Sequence, residues 1–185
     1  MNGQEVPLAV AMREQPRAPV PGELEHAFQE YSNLVFRTAY RITGNAADAE
    51  DVLQTVFLRL ARRDASAEAL ENHESYLRRA AVNVALDVVR SRQNARTLPI
   101  EEAPPRNMTE PSGEISREMR DCLQRALAQL NRRDAEVFTM RFFVGHENPE
   151  IARLLGISQV HVAVILHRAR RQLQKEVRSY MGGRS

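Results

Sequence analysis

The sequence is poor in the residues on which several common kinds of site depend. Its 185 residues include no Trp, a single Cys (Cys122) and a single Lys, and aromatic residues make up only 5% of the chain. One Cys excludes a disulfide framework within the chain and a zinc site built from several cysteines. So few aromatic side chains also argue against a sugar-binding groove. We interpret Cys122, which lies on an apolar stripe, as a core residue.

The motifs of common enzymes are missing as well. The sequence has no Gly-rich phosphate-binding loop and no nucleophile elbow, and its five His residues are scattered. His146 and Glu147 begin an HE dipeptide, but Glu150 stands where the helix of a zinc protease carries its second His. We therefore expect a protein that is not an enzyme, with no catalytic residues, no metal site and no cofactor.

Long apolar segments are also lacking. No apolar run approaches the about 18 residues that a membrane span requires. The first residues combine Pro with charge and do not contain the apolar segment of a secretion signal. We expect a soluble cytoplasmic protein with no stable membrane insertion.

The net charge of +2 is unevenly distributed along the chain. Residues 1–94 sum to −2, residues 95–113 to −1 and residues 114–185 to +5. A basic C-terminal part favours a polyanionic partner, with nucleic acid as the first candidate. Charge alone is weak support, because solvated helix faces are often this basic.

The pattern of apolar residues predicts an all-α fold made of two small helical domains joined by a flexible linker. Residues 1–22 contain four Pro and little periodicity, which is typical of a disordered tail. Apolar residues at helical spacing predict about three helices in residues 23–94 and about four in residues 114–181. Residues 95–113 contain four Pro and one Gly, which indicates a linker that would reach up to about 65 Å if fully extended.

The strongest local signal is a helix-turn-helix pattern in residues 148–173. Gly156 suits the left-handed turn between the two helices, and Ser158 suits the N-cap of the second. In such a unit the second helix lies in the major groove, with its first residues at the base edges. The residues predicted to face bases are Ser158, Gln159, His161 and Val162, and those predicted to meet phosphates are Arg168, Arg170 and Arg171.

Two other interpretations of this stretch stay open. It is also compatible with an ordinary helical hairpin that has a basic exposed face. Val160, Val162 and Val164 alternate with other residues in a manner that resembles a strand. The cap at Ser158 and the helical spacing that continues to Leu173 favour a helix.

Two further segments carry candidate binding residues. Residues 73–92 place basic and polar side chains on a helix whose apolar positions turn inward; the candidates for DNA binding there are Tyr76, Arg78, Arg79, Asn83 and Arg90. Residues 48–60 form an amphipathic helix with acids in its first turn. It is compatible with a protein-docking face through Asp48, Asp51, Gln54 and Phe57, or simply with acids that the helix dipole favours.

These segments, in this order, resemble the extracytoplasmic-function (ECF) sigma factors of bacterial RNA polymerase. The resemblance covers about residues 23–180 and rests on three stretches: DAEDVLQTVFLRL is similar to region 2.2, YLRRAAVNVALDVVRSR to regions 2.3 and 2.4, and ALAQLNRRDAEVFTMRFFVGHENPEIARLLGIS with LHRARRQL to region 4. It implies an alternative sigma factor that binds core RNA polymerase through its β′ and β subunits. It also implies recognition of the −10 and −35 elements of promoter DNA and control by an anti-sigma factor.

The resemblance also assigns roles to individual residues. Asp51, Gln54 and Phe57 would belong to the face that binds core polymerase. Arg79 and Asn83 match the helix on the −10 side, with Tyr76 at a position that is commonly aromatic and Asn72 in or near the loop that captures a flipped base. Arg168 and Arg170 match the basic end of the −35 helix.

The chain departs from the family where the −35 helix usually carries basic and small polar residues. Ala163, Val164 and Ile165 occupy those positions and cannot make the usual phosphate or guanine contacts. Recognition of the −35 element would then rest on Gln159, His161 and Arg168, or use DNA shape and methyl contacts, or this face would bind protein. The main alternative function is a dimeric helix-turn-helix regulator that acts without polymerase; a protein-interaction module and a metal hydrolase are further alternatives.

Overall fold

The computed structural model describes residues 21–62, 73–97 and 117–182. The predicted tail up to residue 20, the linker from residue 98 and Asn72 therefore lie outside the described residues. Every regular element in the described ranges is helical, which confirms the all-α prediction. The elements are α1 (Pro21–Thr43), α2 (Ala46–Ala61), α3 (His73–Thr97), α4 (Arg117–Gln129), α5 (Arg132–Thr139), a π-helical segment (Met140–Val144), α6 (Asn148–Leu155) and α7 (Gln159–Gly182).

The first half of the chain is a three-helix unit of α1, α2 and α3. Its core consists of fully buried aliphatic side chains from all three helices. Gly44 takes a positive φ of 64° after α1, and the Asn45 side chain caps α2 by accepting hydrogen bonds from the backbone N–H groups of Ala47 and Asp48. The sharp turn sets α2 beside α1, so that the opposite face of α2 is left to the solvent.

The second half contains the predicted helix-turn-helix. The Asn131 side chain caps α5 by accepting a hydrogen bond from the Asp134 N–H, and Gly156 adopts a left-handed conformation (φ 63°) between α6 and α7. The Ser158 hydroxyl accepts a hydrogen bond from the His161 N–H at 3.2 Å, as expected for an N-cap. The axes of α6 and α7 meet at 106°, within the range of helix-turn-helix units. The strand alternative for residues 160–165 is wrong, since α7 runs through them.

The two halves share one hydrophobic core and are packed against each other. Gln124 of α4 is buried and donates hydrogen bonds to the carbonyl oxygens of Ile42 and Thr43 at the end of α1, at 3.2 and 2.6 Å. Arg41 of α1 donates to the Phe143 carbonyl oxygen at 3.3 Å. The described structure is thus a closed arrangement of the halves.

Among the described residues, no single helix is both long and apolar enough to cross a membrane. One bent pair of helices, α6 with α7 as far as Ser179, passes the same length and composition criterion when the two are taken together.

Candidate nucleic-acid and protein interfaces

The second helix of the helix-turn-helix, α7, has a buried face that packs in the core and an exposed face that is accessible to a partner. Its buried residues are Val162, Ile165, Leu166, Ala169 and Leu173. The prediction that Val162 faces base edges is therefore wrong: it lies one turn from Ile165 and Leu166 on the side that packs against the other helices. Ile165 is also buried and packs in the core. The isoleucine at this position, where the family usually has arginine, therefore adds no apolar group to the surface of α7.

The exposed face of α7 begins with side chains that point away from the core. Gln159 and His161 are exposed, as predicted, and so are Val160 and Val164, with 74% and 53% of their surface accessible. Val160 and Val164 stand one helical turn apart, and Arg171 continues the same line two turns further on. The resemblance already placed Val164 at a DNA-contact position, whereas Val160 was not predicted as a surface residue, although helical spacing puts it on the side opposite Val162 and Ile165.

Arg168 is engaged within the protein. Its guanidinium donates two hydrogen bonds to the Asp134 carboxylate of α5, one of them from Nε at 2.6 Å. Asp134 is completely buried, whereas the Arg168 side chain is 55% exposed. The hydrogen bonds and charge of Asp134 raise the pKa of Arg168 above its ordinary value. In this structure Arg168 neutralises a buried carboxylate, and its contact with phosphate stays a prediction.

The other two predicted phosphate ligands are better placed. The Arg170 guanidinium lies over the ring of Phe142, 4.9 Å from its centroid, and both side chains are exposed. This cation–π contact holds Arg170 at the surface without neutralising it. Arg171 is exposed and, among the described residues, forms no ion pair. Both positive charges are therefore available to a polyanion beside the exposed start of α7.

The predicted −10 residues of α3 are held by one carboxylate from the second half. Glu136 of α5 accepts hydrogen bonds at Oε1 from Arg79 at 2.8 Å and from Asn83 at 3.1 Å, and at Oε2 from Arg133 at 3.2 Å. Arg79 also donates to the Leu154 carbonyl oxygen at 3.2 Å. We call Glu136 with Arg79, Asn83 and Arg133 the Glu136 cluster. In this arrangement Arg79 and Asn83 face protein and are not available to DNA.

The remaining predicted residues of α3 lie around this cluster. Tyr76 is half-buried, and Arg78 is paired with Glu74 at 2.7 Å along the same helix. Arg90 lies 3.6 Å from Asp87, which also accepts a hydrogen bond from Arg132 of the second half at 3.1 Å. Arg79, Asn83 and Asp87 thus lie on the side of α3 that contacts the second half, so separation of the halves would expose these three side chains together.

The Glu136 cluster is sensitive to acid. Burial raises the pKa of Glu136, but the hydrogen bonds from Arg79 and Asn83 and the charges of Arg79 and Arg133 together outweigh it, and the pKa lies below its ordinary value of 4.5. Because the folded-state pKa is lowered, the stabilisation is complete above the ordinary value and is lost as pH falls through the lowered one.

We therefore expect the two halves to separate more readily in acid, below about pH 4.5. The measurement is the distance between dyes on α1 and α6, followed by energy transfer from pH 7 to pH 3. The Glu136→Gln protein serves as the control, because it lacks this titrating group. An identical pH profile for the two proteins would contradict the expectation.

The exposed face of α2 differs in part from the predicted docking residues. Asp51 and Gln54 are exposed, as predicted. Asp48 is buried and paired with Arg92 of α3, and Phe57 is buried in edge-to-face contact with Phe28, with centroids 4.9 Å apart. The prediction that Asp48 and Phe57 contact a partner is wrong for this structure, because both side chains join α2 to its neighbours.

Leu58 is the residue of this face that the sequence analysis missed. Its side chain is 54% exposed, and it lies four residues after Gln54 and seven after Asp51, on the same side of the helix. Its position seven residues after Asp51, two helical turns along the same side, could have identified Leu58 from the sequence. Its apolar surface gives this side of α2 a patch whose burial against a protein partner would be favourable. We call Asp51, Gln54 and Leu58 the α2 face.

Comparison with protein families matches both halves of the chain. Residues 27–95 match the model for sigma-70 region 2, and residues 120–173 match the model for sigma-70 region 4. The three helices of the first half and the helix-turn-helix of the second fall within these two matches.

Curated relatives include several ECF sigma factors. The chain is 29% identical to the ECF RNA polymerase sigma factor SigE of Mycolicibacterium smegmatis over 160 residues, which covers 79% of this chain and 58% of that protein. It is 24% identical to SigW of Bacillus subtilis over 159 residues, covering 80% and 85% of the two chains. It is 29% identical to the RNA polymerase sigma-E factor of Streptomyces avermitilis over 159 residues, covering 82% and 86%.

Solved structures share the fold. The sigma factor RpoE of Bartonella quintana, crystallised with the anti-sigma factor NepR, aligns with a TM-score of 0.51 at 19% identity over 84% of this chain and 97% of that one. CnrH in complex with the cytosolic domain of CnrY aligns with a TM-score of 0.53 at 20% identity, covering 90% and 92%. With matches to both conserved regions in order and relatives along most of its length, the chain belongs to the ECF sigma factors, the sigma-70-type initiation factors of bacterial RNA polymerase.

Proposed function

We propose that this alternative sigma factor binds core RNA polymerase through the α2 face and directs it to promoters through α3 and α7. The observation that carries this proposal is the division of exposed surfaces within one chain. The α2 face is acidic and apolar, whereas the exposed side of α7 leads into Arg170 and Arg171. A protein partner suits the first surface, and a polyanion suits the second.

The closed arrangement bears on how the −10 element is reached. Arg79 and Asn83 contact Glu136 in the described structure, so they meet DNA only after α5 has moved away. We infer that binding to polymerase separates the halves, with residues 23–94 acting as region 2, residues 95–113 as the linker and residues 114–181 as region 4. Tyr76, Arg79 and Asn83 then face the opened −10 strand, and α7 reaches the −35 element.

Regulation by an anti-sigma factor is part of this proposal. Two sigma factors of the same fold were solved in complex with an anti-sigma factor or with the cytosolic domain of a partner protein. The α2 face and α3 offer surfaces that such a partner would cover. We also infer that the protein works in the cytoplasm, where polymerase and promoter DNA are found, and that the chemistry belongs to the polymerase.

The first test is co-elution of the purified chain with core RNA polymerase, followed by transcription from the DNA upstream of its own gene. We expect co-elution and specific initiation. Failure to co-elute, combined with tight binding of a dimer to a palindromic duplex, would instead establish a helix-turn-helix regulator that acts without polymerase.

Leu58 provides a sharper test of the docking surface. We expect Leu58→Asp to weaken binding to core polymerase at least tenfold, because the interface would then have to bury an unpaired charge in place of an apolar side chain. The measurement is titration of core enzyme with labelled protein. Since Leu58 is exposed, the free energy of unfolding stays within about 0.5 kcal/mol of the parent.

Val160→Asp is the matched control, since it makes the same kind of change at an exposed valine on α7. It is expected to leave core binding unchanged. Equal loss of core binding in both variants would show that the α2 face has no special role.

A further inference from the structure

The start of α7 presents apolar side chains where a DNA-reading helix usually presents polar ones. Val160 and Val164 are 74% and 53% exposed, and Ala163 between them is exposed too. We call these three residues the valine stripe. They point away from the core formed by Val162 and Ile165, so packing within the chain does not explain them. Burying such side chains against a partner is favourable in proportion to the apolar area covered.

The surroundings of the valine stripe identify the chemistry of that partner. Arg171 lies on the same side of α7 two turns beyond Val164, and Arg170 flanks it at the surface beside Phe142. An apolar patch with unneutralised arginines further along the same helix matches the major groove, where phosphates border the base edges. Within that groove the one apolar group is the 5-methyl of thymine.

The valine stripe also discriminates against other bases. Valine and alanine side chains have no hydrogen-bond donor, so they cannot satisfy O6 and N7 of guanine when they displace water from them. Val160 and Val164 are four residues apart, a rise of about 6 Å along the helix. That separation corresponds to about two base-pair steps of 3.4 Å.

We propose that Val160 and Val164 determine promoter specificity by contacting the 5-methyl groups of thymines in the −35 element. This inference rests on the proposed sigma function and deepens it by naming the bases. The −35 element of this protein then carries at least two thymines, on either strand, within about two steps of each other. Gln159 and His161 contribute polar contacts on the flanks, and Arg170 and Arg171 hold the phosphates.

The experiment uses the full chain assembled with core polymerase. Holoenzyme is used to select duplexes randomised at the −35 position, and the selected sequence is then remade with deoxyuridine in place of each thymine. Deoxyuridine pairs as thymine does but lacks the methyl group. We expect thymines to be selected, and each replacement that faces a valine to weaken binding about fourfold, the effect of one buried CH₂ group.

Val160→Thr and Val164→Thr are the informative variants, because threonine keeps the shape of valine and replaces one methyl group by a hydroxyl. We expect each variant to reduce the difference in affinity between thymine and deoxyuridine duplexes at one position only, which a double-mutant cycle measures. Arg171→Ala is the matched control. It is expected to weaken binding to both duplexes equally and to lower the salt dependence.

The outcomes separate this inference from the proposed function. A selected −35 sequence without a thymine pair, or equal binding of thymine and deoxyuridine duplexes, overturns the role of the valine stripe and leaves the sigma function in place. An unchanged deoxyuridine effect in both threonine variants overturns it as well and directs attention to a protein partner for the stripe. Failure of holoenzyme to select any upstream sequence overturns the proposed promoter recognition together with the inference.

Discussion

Replacing Arg168 by Ala is expected to lower the free energy of unfolding by about 3 kcal/mol, a large effect for a side chain that is half-exposed. The reason lies in Asp134, which is completely buried and receives two hydrogen bonds from the guanidinium. Removing one partner of such a pair leaves an uncompensated buried charge, which costs about 3–5 kcal/mol. We use the lower end of this range because water reaches the Asp134 carboxylate once the arginine side chain is removed. Chemical denaturation at neutral pH measures the change.

Arg171→Ala is the matched control for this prediction. It removes the same group from the same helix three residues later, at an exposed position, and is expected to change stability by less than about 0.5 kcal/mol. For DNA binding we expect the opposite order: Arg171→Ala weakens it more than Arg168→Ala, since Arg171 is the residue available to phosphate. Equal stability of the Arg168→Ala and Arg171→Ala proteins would show that Asp134 does not depend on Arg168.

The second large effect is expected from Glu136. Replacing it by Ala removes the acceptor that Arg79 and Asn83 use across the halves, and hydrogen bonds to charged groups contribute about 1.5–3 kcal/mol each. Destabilising the closed arrangement by only about 1.4 kcal/mol raises the population of molecules with separated halves tenfold, as long as that population is a small fraction of the total. We therefore expect the isolated protein to bind single-stranded −10 DNA at least about tenfold more tightly.

Glu147→Ala provides the comparison for Glu136→Ala. Glu147 is an exposed carboxylate paired with Arg141 inside the second half, away from α3. Its removal is expected to leave both the distance between the halves and the affinity for single-stranded DNA unchanged. If Glu136→Ala also leaves both quantities unchanged, the cluster does not restrain the halves.

Much of the fold could be predicted from local sequence. The cap at Ser158 and the left-handed turn at Gly156 were predicted from the sequence, because each depends on a few neighbouring residues. The all-α class followed from the spacing of apolar residues.

The exact partners of the charged residues could not be predicted in the same way. Arg168 and Asp134 are 34 residues apart, and Arg79 and Glu136 are 57 apart, so no local pattern joins them. A sequence shows that an arginine is present on a helix, but whether that arginine meets a phosphate or a buried carboxylate is decided by long-range packing. The same applies to Asp48, whose position in the first turn of α2 gives no sign of Arg92 at the end of α3.

The hydrogen bonds between the halves differ in how well they tolerate substitution during evolution. Gln124 donates to the carbonyl oxygens of Ile42 and Thr43, Arg41 to that of Phe143, and Arg79 to that of Leu154. The acceptors are all main-chain atoms, which every amino acid possesses. Substitution at the accepting positions therefore leaves these bonds chemically possible, whereas substitution of a donor removes them. Single changes of a donor can therefore weaken these links, whereas the contacts of Arg79 and Asn83 with Glu136, and of Arg132 with Asp87, depend on particular side chains at both ends.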